Sequence, residues 1–374
     1  MAMLDQIAKA FKRKDYRTAQ NLLKNFLQKE PRNPWGRLYA GRLYEEKRKL
    51  DLAESIYRQL LQQAEHPKIV SQARSGLERL QSQKEAQEQQ QRQQAIARVS
   101  QDPNQAKPGL LIIEPVVGEA RKAAAKEFSR IMNLDFYSAQ RQLPGRFWRL
   151  HRTGNIGELG IYGQELREVG IPAFWVNLEK IEQIRVFRVQ SISELGKTVS
   201  IMCHDESNQL GTLSFEWSEV AQRVEGKLPV FESVVMLVSG KQERVERTQD
   251  YVYLCDLHLP QRNCVLRFCD RSFEFHHSVG IIPPDTPRSQ LSTRLQWNSL
   301  IQVMIQHLPQ TPLWSDFTPF AETVLQEAKV VADPRDLFGE IRPYIDIFRR
   351  AETETNWDRA FALYSGLVFC READ

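Results

Sequence analysis

The sequence predicts a multidomain α+β protein with helical hairpins at the N-terminus, a small α/β domain, an antiparallel β barrel or sandwich, and C-terminal helices. Three observations predict it. Residues 1–67 repeat at a spacing of 34, strand-like and helix-like runs alternate from Leu110 to Val176, and apolar residues alternate in short runs from Ile181 to Ser278. A period of 34 belongs to helix-turn-helix units, and alternation at period 2 turns one side of a strand toward a core. At 374 residues the chain exceeds the length at which single cores stop growing. The expected segments are a helical repeat module (1–80), a Gln-rich helical spacer and linker (81–108), a small α/β domain (109–179), an antiparallel β domain (180–285) and a C-terminal helical region (286–374).

In the first segment Ala19, Leu23 and Phe26 recur as Ala53, Tyr57 and Leu60. A small residue lets two helices cross closely, and the larger residues that follow fill the groove between them. Trp35, Gly41 and Tyr44 complete the second copy, Gly41 being expected to admit a neighbouring helix backbone, and Pro31 closes the first. These residues resemble the tetratricopeptide repeat family, although the first copy has Ile7 where a Gly is usual and Ala10 where a Tyr is usual. The resemblance implies a stacked helical cradle that binds protein segments, and no chemistry. Arrays of this kind need about three units to bury a continuous core; Ile69, Val70, Ala73, Leu77 and Leu80 recur at helical spacing and supply a capping stripe.

Residues 1–50 hold thirteen Lys and Arg against five Asp and Glu, while the whole chain carries +4. The repeat module is therefore a basic face on a nearly neutral body, suited to an acidic protein segment or an anionic membrane surface. Nucleic acid is the weaker fit, because aromatics of the kind that stack bases are sparse there. Some tetratricopeptide modules grip a terminal carboxylate with an Asn at the ninth repeat position; this chain has Ala8 and Arg42 at those places, which argues against that clamp. The candidate partner-binding residues are Lys12, Trp35, Arg37, Leu38 and Arg42.

The segment QSQKEAQEQQQRQQAIARV continues as an exposed helix with little to bury, and Asp102-Pro103 and Lys107-Pro108-Gly109 mark a linker. Leu110–Glu114, Phe147–His151 and Ile171–Val176 read as strands, and Glu119–Met132, a short run from Asp135, and Gln164–Val169 as helices. From Ile181 onward, runs such as Val199/Ile201 and Leu213/Phe215, punctuated by GK, ESNQ, SGKQ and PQRN, predict six to eight short strands. A barrel similar to pleckstrin-homology domains is the favoured arrangement. The C-terminal part returns to helix over Leu291–His307, Phe317–Ala328, Leu337–Arg350 and Asn356–Cys370, separated by Pro309, Pro312 and Pro334. In LLIIEPV, AAKEFSRIMNLD, GIPAFWV, LCDLHLP and WDRAFALYSGLVF the whole chain also resembles uncharacterised tetratricopeptide proteins of cyanobacteria, which implies a role near photosynthetic or regulatory complexes.

Chemistry is little in evidence. Cys255, His258, Cys264 and Cys269 have enough ligands for zinc, yet the odd separation of Cys264 and Cys269 turns them to opposite faces of a strand. Gly196-Lys197-Thr198 ends like a phosphate loop, but Ser191 stands where the leading Gly is required. Gly154, Gly157, Gly160 and Gly163 lack the dinucleotide pattern, though backbone amides ahead of a helix at Gln164 offer an anion site. Glu45-Glu46 reads as charge decoration on an exposed helix. No catalytic residue, metal or cofactor is expected. Few, scattered cysteines and the lack of an apolar leader or an 18-residue apolar run fit a cytoplasmic protein without a transmembrane segment. The expected function is that of a non-enzymatic adaptor, scaffold or assembly factor; the alternative is a sensor that binds an anionic small molecule or nucleotide through the α/β or β domain.

Overall fold

The computed structural model describes residues 2–63, 66–238, 241–282, 291–328, 335–341 and 356–371. They form two compact units, Met1–Ala95 and Ile96–Asp374.

The first unit is helical: α1 (Ala2–Lys12), α2 (Tyr16–Lys29), α3 (Pro34–Glu46), α4 (Leu50–Gln63) and the start of α5 (Pro67–Val99). Asp15 caps α2 by accepting the Thr18 N–H at 3.1 Å, and Asn33 caps α3, with Pro34 preset for the first helical turn. The turn after α1 bonds Lys14 N to Phe11 O and Asp15 N to Ala10 O; the turn after α3 bonds Arg48 N to Glu45 O and Lys49 N to Tyr44 O. Lys14 and Arg48 sit at φ 59° and 56°. Both turns are Schellman closures, so the period of 34 extends to backbone hydrogen bonds. Ala19 is fully buried, Leu23 and Phe26 lie in one core, and Ala53, Tyr57, Leu60, Ile69, Ala73 and Leu80 in the next. A Cβ at Gly41 or at Gly76 would come within 2.5 Å of the Tyr57 ring. Gly41 therefore makes room for a side chain and not, as its place in the repeat suggests, for a helix backbone. From Gln81 on, α5 stays helical and mostly exposed.

In the second unit β1 (Pro108–Ile113) lies between β2 (Arg149–Asn155) and β3 (Ala173–Asn177), antiparallel to both. Helices α6 (Ala120–Met132), α7 (Phe136–Gln142) and α8 (Ile156–Glu168) cover one face, where Leu111 and Ile113 meet Phe128, Ile131, Leu159 and Leu166. After α9 (Leu178–Glu182) come β4 (Arg185–Leu195), β5 (Thr198–His204), β6 (Leu210–Glu216), β7 (Gln222–Val238), β8 (Lys241–Leu259) and β9 (Cys264–Cys269). Then follow α10 (Thr293–His307), β10 (Leu313–Trp314), α11 (Phe317–Ala328), α12 (Arg335–Phe338) and α13 (Trp357–Arg371). The larger sheet runs β10-β7-β8-β9-β4-β5-β6.

That sheet corrects the expectation of an antiparallel barrel. It is open, with β10 and β6 at its edges, and mixed, since β4 pairs β9 and β10 pairs β7 in parallel. Its strand faces serve two cores. Cys255, Leu257 and Leu259 pack with Leu300 and Met304 of α10, while Val252 and Leu254 turn the other way. There they join Leu110 and Ile112 of the small sheet, Phe317 and Phe320 of α11, and Phe361 and Leu367 of α13 in a single cluster. The segments expected as three domains thus share one core, with α11 and α13 between the two sheets. The helix predicted at Leu337–Arg350 falls mostly outside the described residues. Of the glycine run taken for a turn ahead of Gln164, Gly154 lies in β2 and Gly157, Gly160 and Gly163 in α8, which starts at Ile156; the first amides of that helix donate to the carbonyls of Lys107 (2.8 Å) and Gln105 (3.0 Å). The anion site expected there is filled by the chain itself.

Candidate functional site

The basic face of the first unit follows from where its helices point their surfaces. Lys9, Lys12, Arg13, Lys14, Arg17, Lys24, Lys29, Arg32, Lys47, Arg48 and Lys49 are all exposed. Among the described residues none of these cations has an ion-pair partner. Their charge is free to act on solvent and on whatever approaches.

The five residues singled out in the sequence divide. Lys12 is exposed at the end of α1. Trp35, Tyr39 and Arg42 are half-buried along α3 at the i, i+4, i+7 spacing of one helix face. The Arg42 guanidinium lies 5.8 Å from the centre of the Tyr39 ring, and Tyr39 lies 5.3 Å from Phe11. Trp35 meets His66 edge-on at 5.6 Å. Arg37 is half-buried and donates to the Gln63 side chain at 2.9 Å, which ties it to α4. Leu38 is 1% exposed and belongs to the core with Tyr57 and Ala73. Its side chain holds the helices together and is not available to a partner, because the small residues Ala53 and Ala73 let α4 and α5 close over it.

Glu45 departs from its reading as surface decoration. It is 9% exposed, accepts the Tyr57 hydroxyl at 2.8 Å, and takes two hydrogen bonds from Arg79, at 2.8 and 3.0 Å. One carboxylate joins α3, α4 and α5. Burial, then the Glu45 hydrogen bond, holds the Tyr57 phenol well above its usual range, so it remains a donor. Glu45 and Arg79 stand 34 residues apart, a signal the repeat itself contained.

The second unit holds a buried polar chain that no local motif announces. Arg267 donates twice to Asp256, at 2.9 and 2.7 Å; Ser365 donates to the same carboxylate at 2.6 Å; and His258 Nε2 lies 2.9 Å from Ser365 Oγ. All four side chains are at most 2% exposed. The residue types are those of a hydrolytic triad, but the order is not. Here the serine lies between the histidine and the aspartate, whereas general-base catalysis needs the aspartate on the far side of the imidazole. Among the described residues His258 Nδ1 has no hydrogen-bond partner. Burial lowers the His258 pKa to about 4, so it is neutral near pH 7 and its Nε2–H donates to Ser365. The arrangement is a lock between α13 and the sheet. Ser365 lies more than a hundred residues from its partners, so no local pattern announces the chain.

The cysteine and histidine set is divided in the same way. Cys255 and Cys264 sit in the core under α10 and Cys269 in the core beneath α13. Burial raises the thiol pKa values of Cys203, Cys255, Cys264 and Cys269, that of Cys203 to about 11, so none is a reactive thiolate. Gly196-Lys197-Thr198 forms the turn between β4 and β5.

Among the described residues no helix is long and apolar enough to cross a membrane. Neither the curated proteins nor the solved structures contain a match to the chain, so no match carries the whole-chain likeness to cyanobacterial proteins. A family model does match residues 10–77, from the end of α1 into α5, and its description is tetratricopeptide repeat. The N-terminal unit thus carries tetratricopeptide repeats, a protein-interaction module.

Proposed function

We propose that the protein is a cytoplasmic adaptor or assembly factor without catalytic activity, whose repeat unit captures an acidic segment of a partner protein. The observation that carries this reading is the set of exposed cations on α1, α2 and the turns before α4 that have no carboxylate partner among the described residues. Unpaired like charges on a folded surface raise its self-energy, a cost offset when an acidic ligand arrives. Lys12 and Arg42 supply charge, Trp35 and Tyr39 supply the apolar floor between them, and Arg37 borders that floor while held by Gln63. Among the described residues Cys203, Cys255, Cys264 and Cys269 form no disulfide, which fits a reducing compartment.

Fluorescence anisotropy with a labelled Asp/Glu-rich peptide tests the reading. Reversing Lys12 and Arg42 together to Glu is expected to weaken binding by roughly tenfold, about 1.4 kcal/mol, with the difference shrinking as salt is raised. An affinity unchanged by the reversal, or equal for a neutral peptide of the same length, sinks it.

A further inference from the structure

We propose that the second unit carries a site for a phosphate monoester in the cleft between α7 and the start of β2. Ser138, Arg141, Gln142, Arg149, Leu150 and His151 line a cavity of about 260 Å³. Five of the six side chains are polar, two are permanently cationic and none is acidic. Arg149 Nη1 donates to the Arg141 carbonyl at 3.2 Å, which fixes one guanidinium at the rim, where the Arg141 side chain begins. Among the described residues neither Arg141 nor Arg149 has an ion-pair partner. Arg152, two residues beyond His151's neighbour Leu150, shows the usual alternative: it pairs with Glu158 at 3.4 Å and lies over the Tyr162 ring at 4.8 Å.

The backbone is shaped around this cleft. Leu150 pairs with Ile112 and Arg152 with Leu111, so His151 is the extra residue of a β-bulge. Bulges re-aim side chains and recur beside functional sites. Leu150 turns to the shared core, while His151 turns to the α6 side, with its ring 5.0 Å from that of Phe128. Burial, and then the charges of Arg152 and Arg149, lower the His151 pKa to about 4, so the ring is neutral near pH 7. Asp135, the N-cap of α7, is the acidic neighbour. It accepts the Ser138 backbone N–H at 2.9 Å and the Ser138 hydroxyl, so its charge serves the helix cap.

Two guanidinium groups, the Gln142 amide and the His151 imidazole line this one cavity. A tetrahedral oxyanion with three terminal oxygens uses more of them than a planar carboxylate. The volume lies just under the range usual for ligand pockets, which suits a phosphate with a small organic group. This site is independent of the repeat unit and of the adaptor reading.

Isothermal titration calorimetry of the full chain with ribose 5-phosphate, inorganic phosphate and acetate tests the site. Either phosphate is expected to bind more tightly than acetate, and tighter binding of the ester over inorganic phosphate marks an organic phosphate as the occupant. Arg141→Gln, at an exposed position, is expected to weaken binding by roughly tenfold or more. Arg146→Gln, an exposed cation over the Phe147 ring outside the cleft, is expected to leave it within about twofold. The His151 ring resonances are expected to move on titration in the wild type. Failure of both phosphates to bind, or equal losses in the two variants, overturns the proposal.

Discussion

Tyr57 fills a slot with no room for one added methyl group. Its ring separates α3 from α5 at Gly41 and Gly76, and its hydroxyl reaches the carboxylate that Arg79 also holds. Gly41→Ala or Gly76→Ala is expected to destabilise the first unit by about 1–3 kcal/mol, the usual cost of overpacking, whereas Gly211→Ala, where no atom lies within 4 Å, has no such clash. Urea unfolding followed by far-UV circular dichroism checks this, and equal midpoints for Gly41→Ala and Gly211→Ala would contradict it. The helix-crossing role of Ala19, Ala53 and their partners was legible in the sequence because it repeats. The buried role of Glu45 was legible only in part, since charged residues on helices are exposed far more often than not and only the distance to Arg79 hinted otherwise.

At the scale of elements, the two Schellman turns place Lys14 and Arg48 in left-handed backbone conformation, a region where a Cβ crowds the following carbonyl. The turn after α8 solves the same problem with Gly170 at φ 79°. Lys14→Gly and Arg48→Gly are therefore expected to stabilise the first unit by up to about 1 kcal/mol each and so to raise the midpoint of its thermal transition, and a drop in the midpoint would refute the strain. Helix boundaries were harder to read where glycines pack. Gly157, Gly160 and Gly163 read as a turn, yet an added Cβ would strike Val99 and Gln105 at Gly157 and Trp175 at Gly163, and would be tight against Trp175 at Gly160, so they are small because α8 packs closely on its neighbours. Strands were legible from alternation, but their order was not. The parallel pairings of β4 with β9 and β7 with β10 join residues roughly eighty or more apart, and no local pattern encodes such partners.

For the molecule as a whole, acid sensitivity is built into two separate cores of the second unit. His258 and His151 titrate near 4 in the fold against 6.5 for a free imidazole. As pH falls through 6.5 the unfolded chain takes up protons that the folded chain refuses, so stability is complete above that value and declines down to about 4. For His258, 1% exposed, the loss is on the order of 3 kcal/mol, and His151 acts in the same direction. Unfolding free energies measured between pH 6.5 and 4.5 are expected to fall with decreasing pH, and His258→Asn to flatten that slope. A wild-type profile that stays level would rule out the buried neutral imidazoles.

The core shared by both sheets and α13 also sets a timetable for synthesis. The repeat hairpins can collapse as soon as they leave the ribosome, since every contact in their cores is made within Met1–Ala95. The second unit has no such freedom: Leu110 and Ile112, near its beginning, wait for Phe361 and Leu367, near its end. For about the time it takes to translate 250 residues, seconds to a minute at usual rates, the nascent sheets expose the apolar surfaces that α13 later covers, and the growing polypeptide depends on chaperones or on speed to escape aggregation.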